Sequence, residues 1–387
     1  MQSASEQVLF STLTTDSGKQ VGVATLNIEK ALNALNLNMV QALTTQLTAW
    51  QADTNIAAVV LDGAGEKAFC AGGDVRAIYQ ASITTPGEVT EAATEFFSQE
   101  YQLDYLLHRF GKPVIVWGDG IVMGGGLGLM IGASHRIVTE RSRIAMPEVT
   151  IGLYPDVGGS YFLNRMPGKS GLFLGMTAYN MSGADALYVG IGNHYLNSDD
   201  KAALFEQLTM LPWSDNFDTN HLALNDLLST MAEACHTAPS KSVLEQNQLL
   251  IDELMTGSLD DIIAKVSQLG SSSDSSADSN TIEANPWLER AVKTMLAGSP
   301  ISLNLVHIQS QLSQDLSLAE CFKLELGLSV NCCAKGDFSE GVRALLIDKD
   351  RNPQWQFSDV ASIPEGFALS LLESPWDEAT HPLKDLH

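Results

Sequence analysis

The chain has 387 residues, of which 45% are hydrophobic and 18% are charged. This composition is typical of folded globular proteins and excludes a disordered or fibrous chain. The 46 Asp and Glu residues against 22 Lys and Arg give a net charge of −24, which argues against a nucleic-acid partner because the chain repels phosphate backbones. A phosphate-bearing ligand would need local Lys or Arg side chains and backbone N–H groups.

The first 200 residues alternate strand and helix patterns. Residues 21–28 predict a strand, and apolar residues at helical spacing over 39–50 predict a helix with Asn36 or Asn38 as its N-cap. The apolar run 57–61 predicts a strand buried on both faces and stopped by Asp62 and Gly63. Further short strands are predicted over 113–117 and 136–138. This order predicts an α/β core over residues 1–200.

The sequence texture changes after about residue 200. Leu, Ala, Ser and Gln recur at helical spacing, which predicts a mostly helical region over 201–360. Within it, residues 271–280 (SSSDSSADSN) predict a loop because they have little apolar surface to bury. Residues 361–387 are interpreted as a C-terminal extension.

The N-terminal twenty residues have neither a basic and apolar secretory pattern nor an Arg-rich import pattern, which predicts a cytoplasmic protein. The most apolar stretch, over 121–133, is too short to span a membrane. Five cysteines, an odd count, predict reduced thiols. The histidines show no metal-ligand clustering, and His135 is interpreted as a strand-edge residue rather than a base.

Two Gly-rich segments each follow a predicted strand: FCAGGD at 69–74 and MGGGLG at 123–128. A turn from a strand into a helix leaves backbone N–H groups unpaired at the positive end of the helix dipole, which suits a developing oxyanion. Together, two such turns are able to hold one oxygen. The alternative is that these glycines only permit tight turns or close helix packing.

Two carboxylates follow prolines farther along the chain, Glu148 in AMPE and Asp156 in YPD. A preceding proline restricts the backbone that presents each carboxylate. The pair is suited to act as base and acid, or as nucleophile and orienting group. The alternative is that both are solvated loop residues.

These segments resemble the crotonase (enoyl-CoA hydratase/isomerase) superfamily. The matching blocks occur in family order along most of the chain: LNIEKALNALN at 26–36, KAFCAGGDVRAIY at 67–79, EY at 100–101, GIVMGGGLGL at 120–129, AMPEVTIGLYPDVGGSYFL at 145–163 and DFSEGVRALLIDKDRNPQW at 337–355. The resemblance implies a repeated ββα spiral core followed by a mostly helical C-terminal region.

The resemblance also implies roles for individual residues. It assigns the oxyanion hole to the backbone N–H groups of Gly73 and Gly125 and the principal catalytic carboxylate to Glu148. It gives Asp156 as a second catalytic carboxylate. The residues implied in substrate binding are Gly125, Glu148 and Asp156 again, with Glu100, Asp74, Lys30, Ala31 and Leu32. Of these, 30–32 fall in the loop that borders CoA in the family, and the alternative for Lys30 is a free surface lysine.

One departure separates branches of the superfamily. Its hydratases place a second Glu three residues after the central Gly of GGG, where this chain has Gly128. This difference and the PDVGG segment favour the hydrolase branch, which implies hydrolysis of 3-hydroxyisobutyryl-CoA in valine breakdown. The alternatives are an enoyl-CoA hydratase or isomerase that uses Glu148 alone, and a non-catalytic acyl-CoA binding protein.

The partners and cofactors follow from the same resemblance. The expected partner is an acyl-CoA substrate, with no membrane and no nucleic acid. Members of the family often form homo-oligomers through C-terminal helices, and the alternative is that the helical second half of this chain covers that surface. No metal and no cofactor other than the CoA of the substrate is expected.

Overall fold

The computed structural model describes residues 4–271 and 285–387, and in this part of the chain the strands end at Tyr195. The strands are β1 (Val8–Thr14), β2 (Gln20–Leu26), β3 (Ile56–Gly63), β4 (Ala68–Cys70), β5 (Val114–Gly118), β6 (Ile121–Met123), β7 (His135–Val138), β8 (Arg143–Ala145) and β9 (His194–Tyr195). The helices are α1 (Ala4–Gln7), α2 (Leu37–Ala52), α3 (Arg76–Thr84), α4 (Glu91–His108), α5 (Gly125–Gly132), α6 (Gly159–Phe162), α7 (Ser170–Thr177), α8 (Gly183–Tyr188), α9 (Lys201–Met210), α10 (Phe217–Ala234), α11 (Val243–Gln246), α12 (Gln248–Leu254), α13 (Leu259–Ser271), α14 (Pro286–Ala297), α15 (Pro300–Leu312), α16 (Leu318–Lys335), α17 (Phe338–Val342) and α18 (Phe367–Ser370). Single turns of 3₁₀-helix cover Glu29–Ala31, Glu148–Ile151, Leu163–Arg165, Ser198–Asp200 and Val360–Ser362, and a π-helical turn covers Arg343–Ile347.

From β3 onward, consecutive strands enter different sheets. The larger sheet has the order β1-β2-β3-β5-β7-β9 and the smaller sheet has the order β4-β6-β8. The pairs β3–β5, β5–β7 and β4–β6 are parallel, whereas β1 and β2 form an antiparallel pair. The pairs β3–β4, β5–β6 and β7–β8 therefore each add one strand to each sheet, whereas β1 and β2 both belong to the larger sheet. This arrangement agrees with the repeated ββα core that the sequence resemblance implies.

The alternation of side chains along β2 explains how helices cover the larger sheet. Gly22 lies against the ring of Trp50 on α2, where an added Cβ would approach the ring within 2.8 Å. Val21 and Val23 point to the opposite face because successive strand residues alternate. There they join a buried cluster with residues of β3, β5, β7, α9 and α10, including Val60, Ile115, Trp117, Ile137, Leu204, Leu208, Leu224 and Leu228.

The predicted elements of this half are confirmed with small changes at their ends. Asn36 is the N-cap of α2, and its side chain accepts the N–H of Met39 at 3.1 Å. The prediction that Asp62 and Gly63 stop β3 was wrong, because both belong to the strand. They continue the ladder with β2, where Asp62 is opposite Thr25 and Gly63 is opposite Leu26.

The chain divides into two compact units, each assembled from three segments. Unit 1 comprises residues 1–74, 102–144 and 180–242, and unit 2 comprises residues 75–101, 145–179 and 243–387. The predicted helical second half is confirmed, since helices alone make up the regular structure of residues 201–271 and 285–387. The boundaries 1–200, 201–360 and 361–387 stay predictions.

Helix α16 lies at the centre of unit 2, and its N-terminus has a capping box in which Ser317 and Glu320 bond each other's backbone N–H groups. The C-terminal residues contact this helix, because the side chain of Asn331 on α16 donates to the carbonyls of Leu371 and Glu373 at 3.0 and 2.8 Å. The rings of Trp376 and His381 lie 5.4 Å apart, and Leu383 is buried. The predicted loop at 271–280 falls, from residue 272 on, outside the described residues.

Three histidine rings stack in unit 1. His135, the first residue of β7, lies between His194 and His221 at centroid distances of 5.6 and 5.4 Å. Its Nδ1 is 2.9 Å from the hydroxyl of Ser134, and its buried Nε2 has no hydrogen-bond partner within residues 4–271 and 285–387. Burial, and then the two neighbouring rings, lower the pKa of His135 to about 3.

This stack predicts a loss of stability in acid. An unfolded histidine has a pKa of about 6.5, so the unfolded chain binds more protons at His135 and stability falls as the pH drops below that value. We expect His135 to account for about 2 kcal/mol of the loss between pH 7 and 5. Urea unfolding of the wild type and His135→Gln at both pH values tests this, and equal pH dependence in the two proteins would contradict it.

Candidate active site

The two Gly-rich turns lie side by side in unit 1. The parallel pairing of β4 with β6 brings Cys70 opposite Val122, so the turns that follow these strands leave the sheet at the same edge. A Cβ added to Gly72 would lie 3.4 Å from the carbonyl oxygen of Met123. The sequence interpretation of two neighbouring turns is consistent with this arrangement.

The second turn presents the start of a helix. Gly124 has φ 47° and precedes α5, whose first residue is Gly125. As the first helical residue, Gly125 has an N–H with no intrahelical acceptor. Gly126 approaches β4 so closely that an added Cβ would be 2.4 Å from the carbonyl oxygen of Cys70. The second turn therefore combines the close packing of Gly126 with an N–H group of Gly125 that has no intrahelical acceptor. The sequence analysis gave these two features as alternatives.

The first turn is held by a short ladder with Leu35. The N–H of Leu35 donates to the carbonyl of Gly72 at 2.8 Å, and the N–H of Asp74 donates to the carbonyl of Leu35 at 2.6 Å. Since backbone groups alternate in direction along a ladder, the N–H of Gly73 points away from Leu35. The amide assigned to the oxyanion hole is therefore not used by this ladder.

The loop predicted to border CoA is attached to the same turn. Lys30 and Ala31 lie in the 3₁₀ turn Glu29–Ala31, and the carbonyl of Leu32 accepts the N–H of Ala71 at 3.0 Å. Lys30 is exposed, as a cation for a solvent-facing phosphate must be.

Asn33, which the sequence interpretation missed, organises this loop. It is buried with φ 56°, and its side chain accepts the N–H of Ile28 and donates to the carbonyls of Ala64 and Ala68 at 3.0 Å each. Asn adopts this left-handed conformation more readily than most residues. The sequence signal for it was an Asn between the apolar pairs Ala31-Leu32 and Ala34-Leu35.

The three predicted carboxyl residues lie together in unit 2 and are buried, with exposed fractions of 2% for Glu100, 5% for Glu148 and 4% for Asp156. Glu100 is on α4, Glu148 begins the 3₁₀ turn after Pro147, and Asp156 precedes α6. The alternative of solvated loop carboxylates is therefore wrong for both Glu148 and Asp156.

The electrostatics of this cluster separate Asp156 from its neighbours. Burial, and then the charge of Asp156, raise the pKa of Glu100 and of Glu148 well above the usual glutamate value. Burial also raises the pKa of Asp156, to about 6, although the hydrogen bond from Tyr101 acts in the opposite direction. An ionised Asp156 therefore favours the protonated forms of the two glutamates.

Two carboxyl oxygens of this cluster lack a hydrogen-bond partner within the described part of the chain. Oε1 of Glu100 and Oε2 of Glu148 are buried, and neither has a hydrogen-bond partner among residues 4–271 and 285–387. A buried polar atom without a partner is costly, so such atoms are uncommon in folded proteins. Both oxygens are available to bond a ligand.

Asp156 is also the end of a buried hydroxyl chain. The hydroxyl of Tyr101 donates to Oδ2 of Asp156 at 2.7 Å and lies 2.7 Å from Oγ of Ser329. Ser329 is in turn 2.7 Å from the hydroxyl of Tyr154, which donates to the backbone carbonyl of Glu325 at 2.7 Å. We call these hydroxyls of Tyr101, Ser329 and Tyr154 the hydroxyl chain.

The side chain of Glu325 fixes the backbone that follows Asp156. Its two carboxylate oxygens accept the N–H groups of Gly158 and Ser160 at 2.8 Å each. The sequence interpretation missed Glu325 and Ser329, which lie four residues apart on α16. The available signal was a pair of polar residues on one face of a helix that is otherwise largely apolar.

A match to a protein-family model identifies the family of this chain. Residues 21–371 match the family model described as enoyl-CoA hydratase/isomerase. The chain belongs to the enoyl-CoA hydratase/isomerase family. Gly128, which replaces the second glutamate of its hydratases, is buried in α5 of this family member.

Relatives and solved structures extend this result. The chain is 38% identical to the mitochondrial 3-hydroxyisobutyryl-CoA hydrolase of Danio rerio, over 94% of this chain and 88% of that protein. It is 34% identical to the small ribosomal subunit protein mS47 of Neurospora crassa, over 94% of this chain and 70% of that protein. A crystal structure of a carnitinyl-CoA dehydratase from Mycobacterium thermoresistibile superposes with a TM-score of 0.80 at 32% identity, over 99% of this chain and all of that one. The crotonase-like fold of this family member is thereby confirmed.

The prediction of a cytoplasmic protein is contradicted by these relatives. The hydrolase from Danio rerio is designated mitochondrial, which points to mitochondria rather than the cytoplasm. The prediction failed because it rested on the lack of a targeting pattern in the first twenty residues, and the fold of a protein does not depend on such a pattern.

Among the described residues, no helix is long and apolar enough to cross a membrane.

Proposed function

We propose that the protein hydrolyses the thioester of 3-hydroxyisobutyryl-CoA to 3-hydroxyisobutyrate and CoA, a step in valine breakdown. The observation that carries this proposal is the buried cluster of Glu100, Glu148 and Asp156, in which two carboxyl oxygens have no partner within the described part of the chain. The name of the relative from Danio rerio supports the choice of substrate.

The backbone amides of Gly73 and Gly125 are proposed to bind the thioester oxygen. Their turns leave neighbouring parallel strands at one edge, and neither N–H is used by the ladder or the helix beside it. Donors aimed at an oxygen that gains charge in the transition state contribute about 10²–10³-fold each to the rate. Lys30, Ala31 and Leu32 are proposed to border the CoA portion, and Asp74 is proposed to contact the substrate.

Glu148 is proposed to act on the thioester carbon by one of two routes. As a nucleophile, its carboxylate forms an anhydride with the acyl group and expels the CoA thiolate, and water then cleaves the anhydride. As a general base, it removes a proton from the water that attacks the carbon. Both routes need Glu148 ionised, and both release one CoA and one 3-hydroxyisobutyrate per water consumed.

Asp156 and Glu100 are proposed to recognise the 3-hydroxyl of the substrate and to relay a proton. Buried acceptors that bond a hydroxyl discriminate strongly against acyl groups that lack it, because the acceptors are then left unpaired. The reaction needs no metal and no cofactor. Association of copies of the chain stays a prediction, which size measurement tests.

A thiol-release assay tests the proposed reaction. We expect free CoA to appear with 3-hydroxyisobutyryl-CoA and to appear far more slowly with isobutyryl-CoA, which lacks the hydroxyl. The family also supports a hydratase or isomerase, for which the absorbance of an enoyl-CoA would change without thiol release. Tight CoA-ester binding with no turnover would instead support a binding protein.

The cluster predicts a pH shift in Asp156→Asn. Because the charge of Asp156 raises the pKa of Glu148 more than the charge of Glu100 does, removing it moves the acidic limb of kcat/KM to lower pH. Glu100→Gln should move the limb less. Residual activities measured from pH 4 to 8 decide this, and a limb that moves to higher pH in Asp156→Asn would exclude the charge argument.

A further inference from the structure

The hydroxyl chain contains fewer protons than contacts when Asp156 is ionised. The chain makes four O···O contacts of 2.7 Å, from Oδ2 of Asp156 through Tyr101, Ser329 and Tyr154 to the carbonyl of Glu325. Each hydroxyl has one proton to donate. An ionised carboxylate and a carbonyl only accept hydrogen bonds. The three hydroxyl protons therefore fill three of the four contacts, and one contact has no proton between its two oxygens.

The missing proton affects the contacts of Ser329. If Tyr101 donates to Asp156 and Tyr154 donates to the carbonyl of Glu325, the hydroxyl of Ser329 has two oxygen neighbours that both need its single proton. Two oxygens 2.7 Å apart without a proton between them repel each other. A buried network that is only partly satisfied is costly.

A proton on Oδ2 of Asp156 completes the chain. Asp156 then donates to Tyr101, Tyr101 donates to Ser329, Ser329 donates to Tyr154, and Tyr154 donates to the carbonyl. Four protons now serve four contacts, and every hydroxyl both donates and accepts. The chain therefore favours the protonated carboxyl, whereas the single bond from Tyr101 favours the ionised one.

We propose that Tyr101, Ser329 and Tyr154 are positioning residues that balance the two protonation states of Asp156, through a hydroxyl chain in which Tyr101 donates to the ionised carboxylate and accepts from the protonated carboxyl group. In the proposed hydrolysis, on which this role depends, such a balance lets Asp156 take a proton from the substrate and return it. The hydroxyl chain affects only the surroundings of Asp156, because it ends at the buried backbone carbonyl of Glu325.

The surroundings of Asp156 agree with this proposal. Burial raises the pKa of Tyr101 and of Tyr154 well above that of free tyrosine, so both keep their protons. The titratable groups that interact electrostatically with Asp156 are Glu100 and Tyr101 on α4, Glu148, Tyr154, and Glu325, Cys332 and Cys333 on α16. These groups include no cation, so the hydroxyl of Tyr101 is the side-chain donor that the structure shows for the ionised form.

Three single variants test the proton count, because they move the pKa of Asp156 in opposite directions. Tyr101→Phe removes the donor to Asp156 and leaves Ser329 and Tyr154 satisfied, so the pKa should rise. Ser329→Ala removes the contested hydroxyl, and Tyr101 and Tyr154 each keep one acceptor, so the pKa should fall. Tyr154→Phe also leaves two protons for two contacts and should lower it. We expect shifts of about one pH unit or more.

Carbon-13 NMR of aspartate-labelled protein measures this pKa without reference to activity, with the Asp156 resonance identified by its loss in Asp156→Asn. Ser302→Ala removes another buried hydroxyl of unit 2 and Tyr105→Phe another tyrosine hydroxyl of α4, and neither should move the resonance. A rise for Tyr101→Phe together with a fall for the other two supports the proposal.

Shifts of the same sign in all three variants, or no shift, would overturn the proposal. If Tyr101→Phe does not fold, a rise or no change in both Ser329→Ala and Tyr154→Phe overturns it, and a fall in both supports it. The thiol-release assay of the wild type is a separate readout. Opposite shifts without hydrolysis would reject the proposed function and retain the hydroxyl chain.

Discussion

The Glu148→Gln variant is expected to lose thioester hydrolysis by about 10³-fold or more while it still binds the acyl-CoA ester. An amide of the same shape neither attacks the carbonyl carbon nor removes a proton from water. The fold should be retained, because Glu148 is buried with a raised pKa and a neutral glutamine resembles its protonated form. Single-turnover thiol release and calorimetric titration with the ester measure the two properties.

Glu233→Gln is the matched control, since it makes the same chemical change at an exposed position of α10. It should hydrolyse the ester at the wild-type rate. Hydrolysis by Glu148→Gln within about tenfold of wild type would remove this residue from the reaction. Loss of both binding and unfolding cooperativity in that variant would show instead that Glu148 is needed for folding.

The Gly126→Ala variant is expected to lower kcat by about 10²–10³-fold, the effect of losing one oxyanion donor. Its Cβ would lie 2.4 Å from the carbonyl oxygen and 2.7 Å from the Cβ of Cys70, so α5 and β4 must move apart. Gly125 is the first residue of α5 and Gly73 lies three residues after the end of β4, so both move with these elements. Stability should fall by about 1–3 kcal/mol, measured by urea unfolding beside the kinetics.

Gly18→Ala is the control for Gly126→Ala. Gly18 lies in the turn between β1 and β2 with φ 81°, and an added Cβ there meets no atom within 4 Å. The substitution should cost about 1–2 kcal/mol through backbone strain and leave kcat unchanged. If Gly126→Ala retains full kcat at a similar loss of stability, the amides of the two turns are not needed in the reaction.

The sequence alone supported the order of elements and most of the residues discussed here. Residues 57–61 indicated a buried strand because parallel strands covered on both faces are continuously apolar. The Gly-rich turns were recognisable because glycine is needed where backbones approach closely, as Gly126 approaches Cys70. Burial of Glu148 and Asp156 was not predictable, since a carboxylate after a proline has the same sequence pattern in solvent and in a core.

By itself, the sequence determined the family, the fold class and the helical second half, because periodicity and short motifs are local properties of the chain. Only the tertiary structure decided the environment of Asp156. Tyr101, 55 residues before it, and Ser329, well over a hundred residues after it, share one chain of hydrogen bonds with that carboxyl group. The protonation of a buried group depends on burial and on neighbours in space, and such neighbours come from segments whose local patterns carry no record of one another.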